Sequence, residues 1–184
     1  VPDLLDSLRF AYNSTETTFE ERFDDIRRAQ LLILDDFGTQ NATEWAREKL
    51  FQIINFRYIN QLPMVITTNL AERDIDERIG SRLNDPDLVT RVKILAPDYR
   101  DPAGDQGHHK LSSLDLLHRC TFANFDLRKD GEMPQEEQQS LEKAFRACRD
   151  FADSPRNWLV LIGSYASGKT HLAAAIANFR ADSD

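Results

Sequence analysis

Eight residues near the end of the chain, Gly163 to Thr170 (GSYASGKT), constrain its fold more than any other stretch. They match G-x-x-x-x-G-K-[ST], in which a glycine-rich turn lets backbone N–H groups converge on phosphate oxygens. The apolar run Trp158 to Ile162 precedes the pattern, and helical spacing from Lys169 to Phe179 follows it. This context predicts a buried strand, a phosphate loop and a helix whose positive end faces the anion. On this reading Gly163, Ser164, Tyr165, Ala166, Ser167 and Gly168 form the cradle. Lys169 reaches the β- and γ-phosphates and the Thr170 hydroxyl ligates Mg²⁺, while His171 closes the stretch as a structural residue. A plain tight turn explains the glycines but gives no reason for Lys169 and Thr170.

A second segment fits the other half of such a site. Gln30 to Leu34 is an apolar run that ends in Asp35 and Asp36, as expected of a strand buried on both faces of a parallel sheet. Asp35 is the candidate to hold Mg²⁺, and Asp36 falls where a carboxylate orients or deprotonates the attacking water. A second buried strand, Met64 to Thr68, ends at Asn69, whose amide is placed to bond the γ-phosphate or that water. Arg78 and Arg82 stand four apart on an expected helix. Arg82, with Arg78 as the alternative, suits an arginine finger reaching into a neighbouring subunit, which implies a homo-oligomer. Thr67-Thr68-Asn69-Leu70 has no NKxD-like signature for reading guanine, so ATP is favoured over GTP.

The rest of the chain alternates strand and helix patterns. Helices are expected at Val1–Tyr12, Thr18–Arg28, Ala42–Asn60, Leu111–Leu117 and Pro134–Ala152, one or two short ones at Glu72–Leu83, and a further strand at Arg91–Ala96. Asp98 to Lys110 (DYRDPAGDQGHHK) reads as a linker or loop. The whole predicts a three-layer α/β domain with a mostly parallel sheet. At 184 residues one domain is expected. No apolar run approaches the roughly 20 residues of a membrane helix, and no secretory signal is evident, so the expectation is a cytoplasmic protein without a membrane partner. A net charge of −8 disfavours broad attraction to nucleic acid, leaving room for a focused contact. Cys120 and Cys148 lie in no metal-ligand spacing and are expected to be reduced core thiols.

Taken together, GSYASGKTHLAAAIAN, VPDLLDSLR, LLILDDFG, KLFQIINFRYINQLPMVITTN, RIGSRL and APDYR resemble the DnaC-type helicase-loader ATPases of the AAA+ class, relatives of the IstB-type transposition helper ATPases. The resemblance implies a bacterial ATPase that uses ATP and Mg²⁺, assembles on single-stranded DNA and helps to place the replicative helicase. It gives Lys169, Thr170, Asp35, Asp36, Asn69 and Arg82 the matching roles. Ser164 and Ala166 depart from it, replacing glycines common in such loops, and a side chain at Ala166 is expected to strain a positive-φ backbone.

The order also departs. In that family the phosphate loop precedes the LLILDD strand; here it follows by more than a hundred residues. Residues 1–100 carry the carboxylate, Asn69 and Arg82 half, 101–110 a linker or loop, and 111–184 the phosphate-loop half. Read from 111 to 184 and then from 1 to 110, the chain follows family order, but without the segment that supplies an edge strand. Three accounts fit: a circular permutation, engineered or not; two segments written out of order around a disordered loop; and a natural rearrangement.

Overall fold

The computed structural model describes residues 4, 5, 8, 19–38, 43–97, 117–128 and 133–183. Its strands are β1 (Leu32–Phe37), β2 (Met64–Thr68), β3 (Val89–Ile94) and β4 (Trp158–Gly163). Its helices are α1 (Phe19–Arg28), α2 (Glu44–Ile59), α3 (Glu77–Leu83), α4 (Gln135–Asp153) and α5 (Lys169–Ala181), with a 3₁₀ turn at Glu72–Asp74. The linker at 98–110, most of Leu111–Leu117 and most of Val1–Tyr12 lie outside the described residues. Leu4, Leu5 and Leu8 are helical, and Leu5 and Leu8 are buried.

Every neighbouring pair of strands is parallel, in the order β1-β2-β4-β3. The strand that comes last in sequence therefore lies between β2 and β3. Successive strand side chains point to opposite faces, which explains why these segments read as continuous apolar runs. Val65, Leu159, Leu161, Val92 and Ile94 face one core, which they share with α4 and α5. Leu34, Met64, Ile66, Trp158 and Val160 face the other, covered by α2 and α3. Each such side chain stabilises the fold by roughly 1.5–3 kcal/mol relative to exposure. The result is the expected three-layer α/β architecture. Among the described residues β1 has a strand partner on one side only.

The boundaries show where local pattern was a poor guide. β3 starts at Val89 rather than Arg91, because Leu88 O accepts from Trp158 N at 2.9 Å and so opens the ladder earlier. It ends before Leu95, whose N–H turns to Ser140 Oγ at 3.0 Å. Cys148 is a core thiol as expected, and burial pushes its pKa up to about 12. Cys120 is not: it is only half-buried.

One buried cation was not anticipated. Arg57 is 0% exposed and reaches from α2 to three backbone carbonyls. Its guanidinium donates to Arg27 O at 3.0 Å, to Ala29 O at 2.9 Å and to Pro63 O. These carbonyls end α1 and begin the turns into β1 and β2, so one side chain fixes how the chain leaves α1 and how it enters two strands of the sheet. A planar fork with several donors is suited to this, whereas an ammonium is not.

Candidate functional site

The loop after β4 has the shape its glycines require. A Cβ on Gly163 would meet Ile94 O at 2.6 Å and Ser167 Oγ at 2.9 Å. Gly168 has φ +100 at the N-cap of α5, and a Cβ there would press on the Phe125 ring at 3.0 Å. Ala166 holds φ +48 while carrying a side chain, so the strain expected there is present, at a cost of roughly 1–2 kcal/mol. Ser164 and Tyr165 are exposed, whereas Ser167 is buried.

Lys169 is 4% exposed. Its Nζ donates to Gly163 O at 3.1 Å, Ser164 O at 2.6 Å and Ser167 Oγ at 3.5 Å. The ammonium thus sits inside the curve of the loop. Burial lowers its pKa, against the opposing pull of the Asp36 and Asp35 carboxylates.

The carboxylates reach the same place from the other end of the chain. Asp35 Oδ1 accepts from Thr170 Oγ1 at 3.0 Å and from Thr67 Oγ1 at 2.6 Å. Between Leu34 and Phe37 the β1–β2 register slips, and Asp36 takes φ +52. The Asp36 N–H donates to Thr67 Oγ1 at 2.9 Å, and the Phe37 carbonyl accepts from Thr68 Oγ1 at 2.8 Å. Asp35 is half-buried beside the loop and Asp36 is exposed. Asn69 Oδ1 is buried with no hydrogen-bond partner, a state that costs about 1–3 kcal/mol unless a further group answers it.

These features fit the nucleotide and cation that the sequence implied. The donor set beside the loop is hard oxygen, a carboxylate and a hydroxyl, which suits Mg²⁺. Glycine stands in the loop where a Cβ would collide with Ile94 O, Ser167 Oγ or the Phe125 ring, and an orphaned amide oxygen lies at the end of the adjacent strand.

Other sequence candidates lie differently. Arg82 donates to Asn55 Oδ1 from Nε at 3.0 Å and from Nη2, to Arg78 O from Nη1, and stacks over Phe51 and Tyr58. It belongs to the face formed by α2 and α3. Arg78 is more exposed and pairs with Glu48 at 3.2 Å and Asp76 at 3.3 Å. His171 Nε2 lies 3.0 Å from Thr121 O and its ring packs edge-on against Phe125, a packing role.

Thr67 was missed by sequence reasoning, which read Thr67-Thr68-Asn69 for its amide alone. The available signal was a hydroxyl at the end of one buried strand when two aspartates end another.

Comparison with known proteins bears on these contacts. The family model of the IstB-like ATP-binding protein matches residues 1–92, the half that holds Asp35, Asp36, Asn69 and Arg82. Uncharacterized protein YqaM of Bacillus subtilis is 34% identical over 73 residues, covering 35% of this chain and 23% of that protein. Chromosomal replication initiator protein DnaA of Lacticaseibacillus casei is 35% identical over 98 residues, covering 45% and 21%. Replicative helicase loader DnaC of Escherichia coli is 22% identical over 85 residues, covering 46% and 35%. The matches thus span between about a fifth and about a third of these relatives' lengths. No solved structure matches. With the family model covering half of the chain, the chain belongs to the IstB-like ATP-binding protein family, of the AAA+ type.

Proposed function

We propose that this protein binds ATP with Mg²⁺ and hydrolyses it by in-line attack of water, as a DnaC-like helicase-loader ATPase. One observation carries the catalytic part: Thr170 and Asp35, 135 positions apart in sequence, share a hydrogen bond at 3.0 Å. Asp35 and Thr170 would hold Mg²⁺, which when bound neutralises charge on the phosphates. Lys169 exchanges its loop carbonyls for phosphate oxygens. Asp36 orients the water and accepts its proton, and the Asn69 amide holds that water or the terminal phosphate. Arg82, or Arg78 in its place, completes the site of a neighbouring subunit. The sheet order supports treating the swapped halves as one domain, since β4 lies between β2 and β3 although it is last in sequence.

The family match favours a second reading of the partner, an IstB-like transposition helper with the same ATP site. Capture of purified replicative helicase, rather than transposase, would support the loader.

Hydrolysis is tested by ATP turnover against protein concentration, with and without single-stranded DNA. The expected result is a rate per subunit that rises with concentration, and rises further with DNA. Arg82→Ala should remove that rise, since such fingers are worth roughly 10³ to 10⁵ in rate. A flat rate indifferent to Arg82→Ala would exclude the finger in trans. Tight ATP binding with turnover at background would make the chain a nucleotide-binding module instead.

A further inference from the structure

Successive residues of a strand point to opposite faces, so an ordinary strand end offers a site one carboxylate of an adjacent pair. β1 departs from this. Leu34 and Phe37 are both buried in the core under α2, although three positions apart, and the register slip between them places Asp35 and Asp36 at the bulge. The left-handed φ of +52 at Asp36 is part of that distortion. A bulge also removes a backbone N–H from the ladder, which leaves a donor to be satisfied.

We propose that Thr67 is the positioning residue that holds this arrangement, setting the Asp35 carboxylate for the metal and the Asp36 backbone for the water. The proposal rests on the reading that Asp35 and Thr170 hold Mg²⁺. A hydroxyl has one proton to give and lone pairs to receive. Thr67 Oγ1 receives the Asp36 N–H at 2.9 Å, and its proton goes to Asp35 Oδ1 at 2.6 Å. The same carboxylate oxygen receives the Thr170 hydroxyl. Thr67 is 0% exposed on β2, flanked by β1 and β4, so its hydroxyl has no solvent to turn to. One oxygen therefore joins the bulge, the carboxylate and, through it, the first turn of α5. Thr68 extends the clip by donating to Phe37 O at 2.8 Å.

Outer partners of this kind typically change metal affinity by 10- to 100-fold when removed. The test is a Mg²⁺ titration of the full chain with a fluorescent ATP analogue, run beside nucleotide binding in EDTA. Thr67→Val should raise the Mg²⁺ midpoint about 10- to 100-fold and leave binding in EDTA unchanged. Thr67→Ser, which keeps the hydroxyl, should restore the wild-type midpoint, and Thr67→Val should add nothing to Asp35→Asn. If Thr67→Val does not fold, Thr67→Cys replaces it, because a thiol donates weakly in similar volume. A wild-type midpoint in the Val or Cys variant overturns the proposal, as does a Ser variant shifted as far as either. If wild-type binding does not respond to Mg²⁺, the magnesium reading of Asp35 and Thr170 falls as well. If it does respond and the Val or Cys variant is normal, only the role of Thr67 falls.

Discussion

Lys169 illustrates how a residue can oppose folding while serving binding. Its ammonium is buried, and burial lowers its pKa against the pull of Asp36 and Asp35. A base whose folded pKa lies below its unfolded value costs stability while charged. That cost is felt while the ammonium is charged and fades as pH rises through the lowered pKa toward the ordinary lysine value near 10.5. Lys169→Met should therefore lose ground to wild type between pH 7 and pH 10, as the charge cost in wild type fades, while the Gly163 and Ser164 carbonyls left without their donor offset the gain at every pH. Denaturant melts at pH 7 and pH 10 check this. Ala166→Gly should stabilise. Relief of about 1–2 kcal/mol of left-handed strain exceeds about 0.4–1 kcal/mol of added unfolded-chain entropy, a net gain of up to about 1.6 kcal/mol in melting experiments. The loop that carries Lys169 and the strain at Ala166 were legible in the sequence, because a local motif fixes them, whereas the hydrogen bond between Asp35 and Thr170 spans 135 positions and the two residues were linked there only through an expected Mg²⁺. Thr67 was not legible, because its partners are set by strand neighbours 31 and 32 positions away.

At the scale of elements, the strands were read from unbroken apolar runs, and the sheet buries both of their faces as that pattern requires. What the pattern missed are joints made by side chains reaching distant backbone. Arg57 is the clearest: in sequence it is one arginine within a helical stretch, yet it joins the exits and entries of three elements. Arg57→Met should cost about 3–5 kcal/mol, because hydrogen bonds to a charged group contribute about 1.5–3 kcal/mol each and the carbonyls it served would be left unpaired. Arg57→Lys should recover only part of that, since an ammonium does not reproduce the fork. A fall in urea midpoint at unchanged slope would confirm that the loss lies in the folded state. The β3 boundary was misread for a related reason: its ends are decided by Trp158 and Ser140, both distant in sequence.

For the whole molecule, the sheet places a strand from the end of the chain between two from its beginning, so neither half completes the sheet alone. Stability against alkali should report on this shared core. Cys148 on α4 packs in the cluster that also holds Leu161 and Ile176, and its thiol is raised from 9.0 to about 12. A raised folded pKa means that its contribution is complete below about pH 9 and is lost as pH rises through about 12. Cys148→Ala should show a shallower loss of stability across that window, by up to about 1.4 kcal/mol per pH unit, in melts at stepped pH. The central claim is that Gly163–Thr170 and Asp35 form one ATP site, and calorimetric titration of ATP in excess Mg²⁺ tests it most directly. The account predicts saturable binding by wild type and a loss of about 10- to 100-fold or more in Lys169→Met, the loss expected when a charge-assisted contact is removed from a protein that stays folded. Equal affinity in the two proteins, or no binding by wild type, would contradict it.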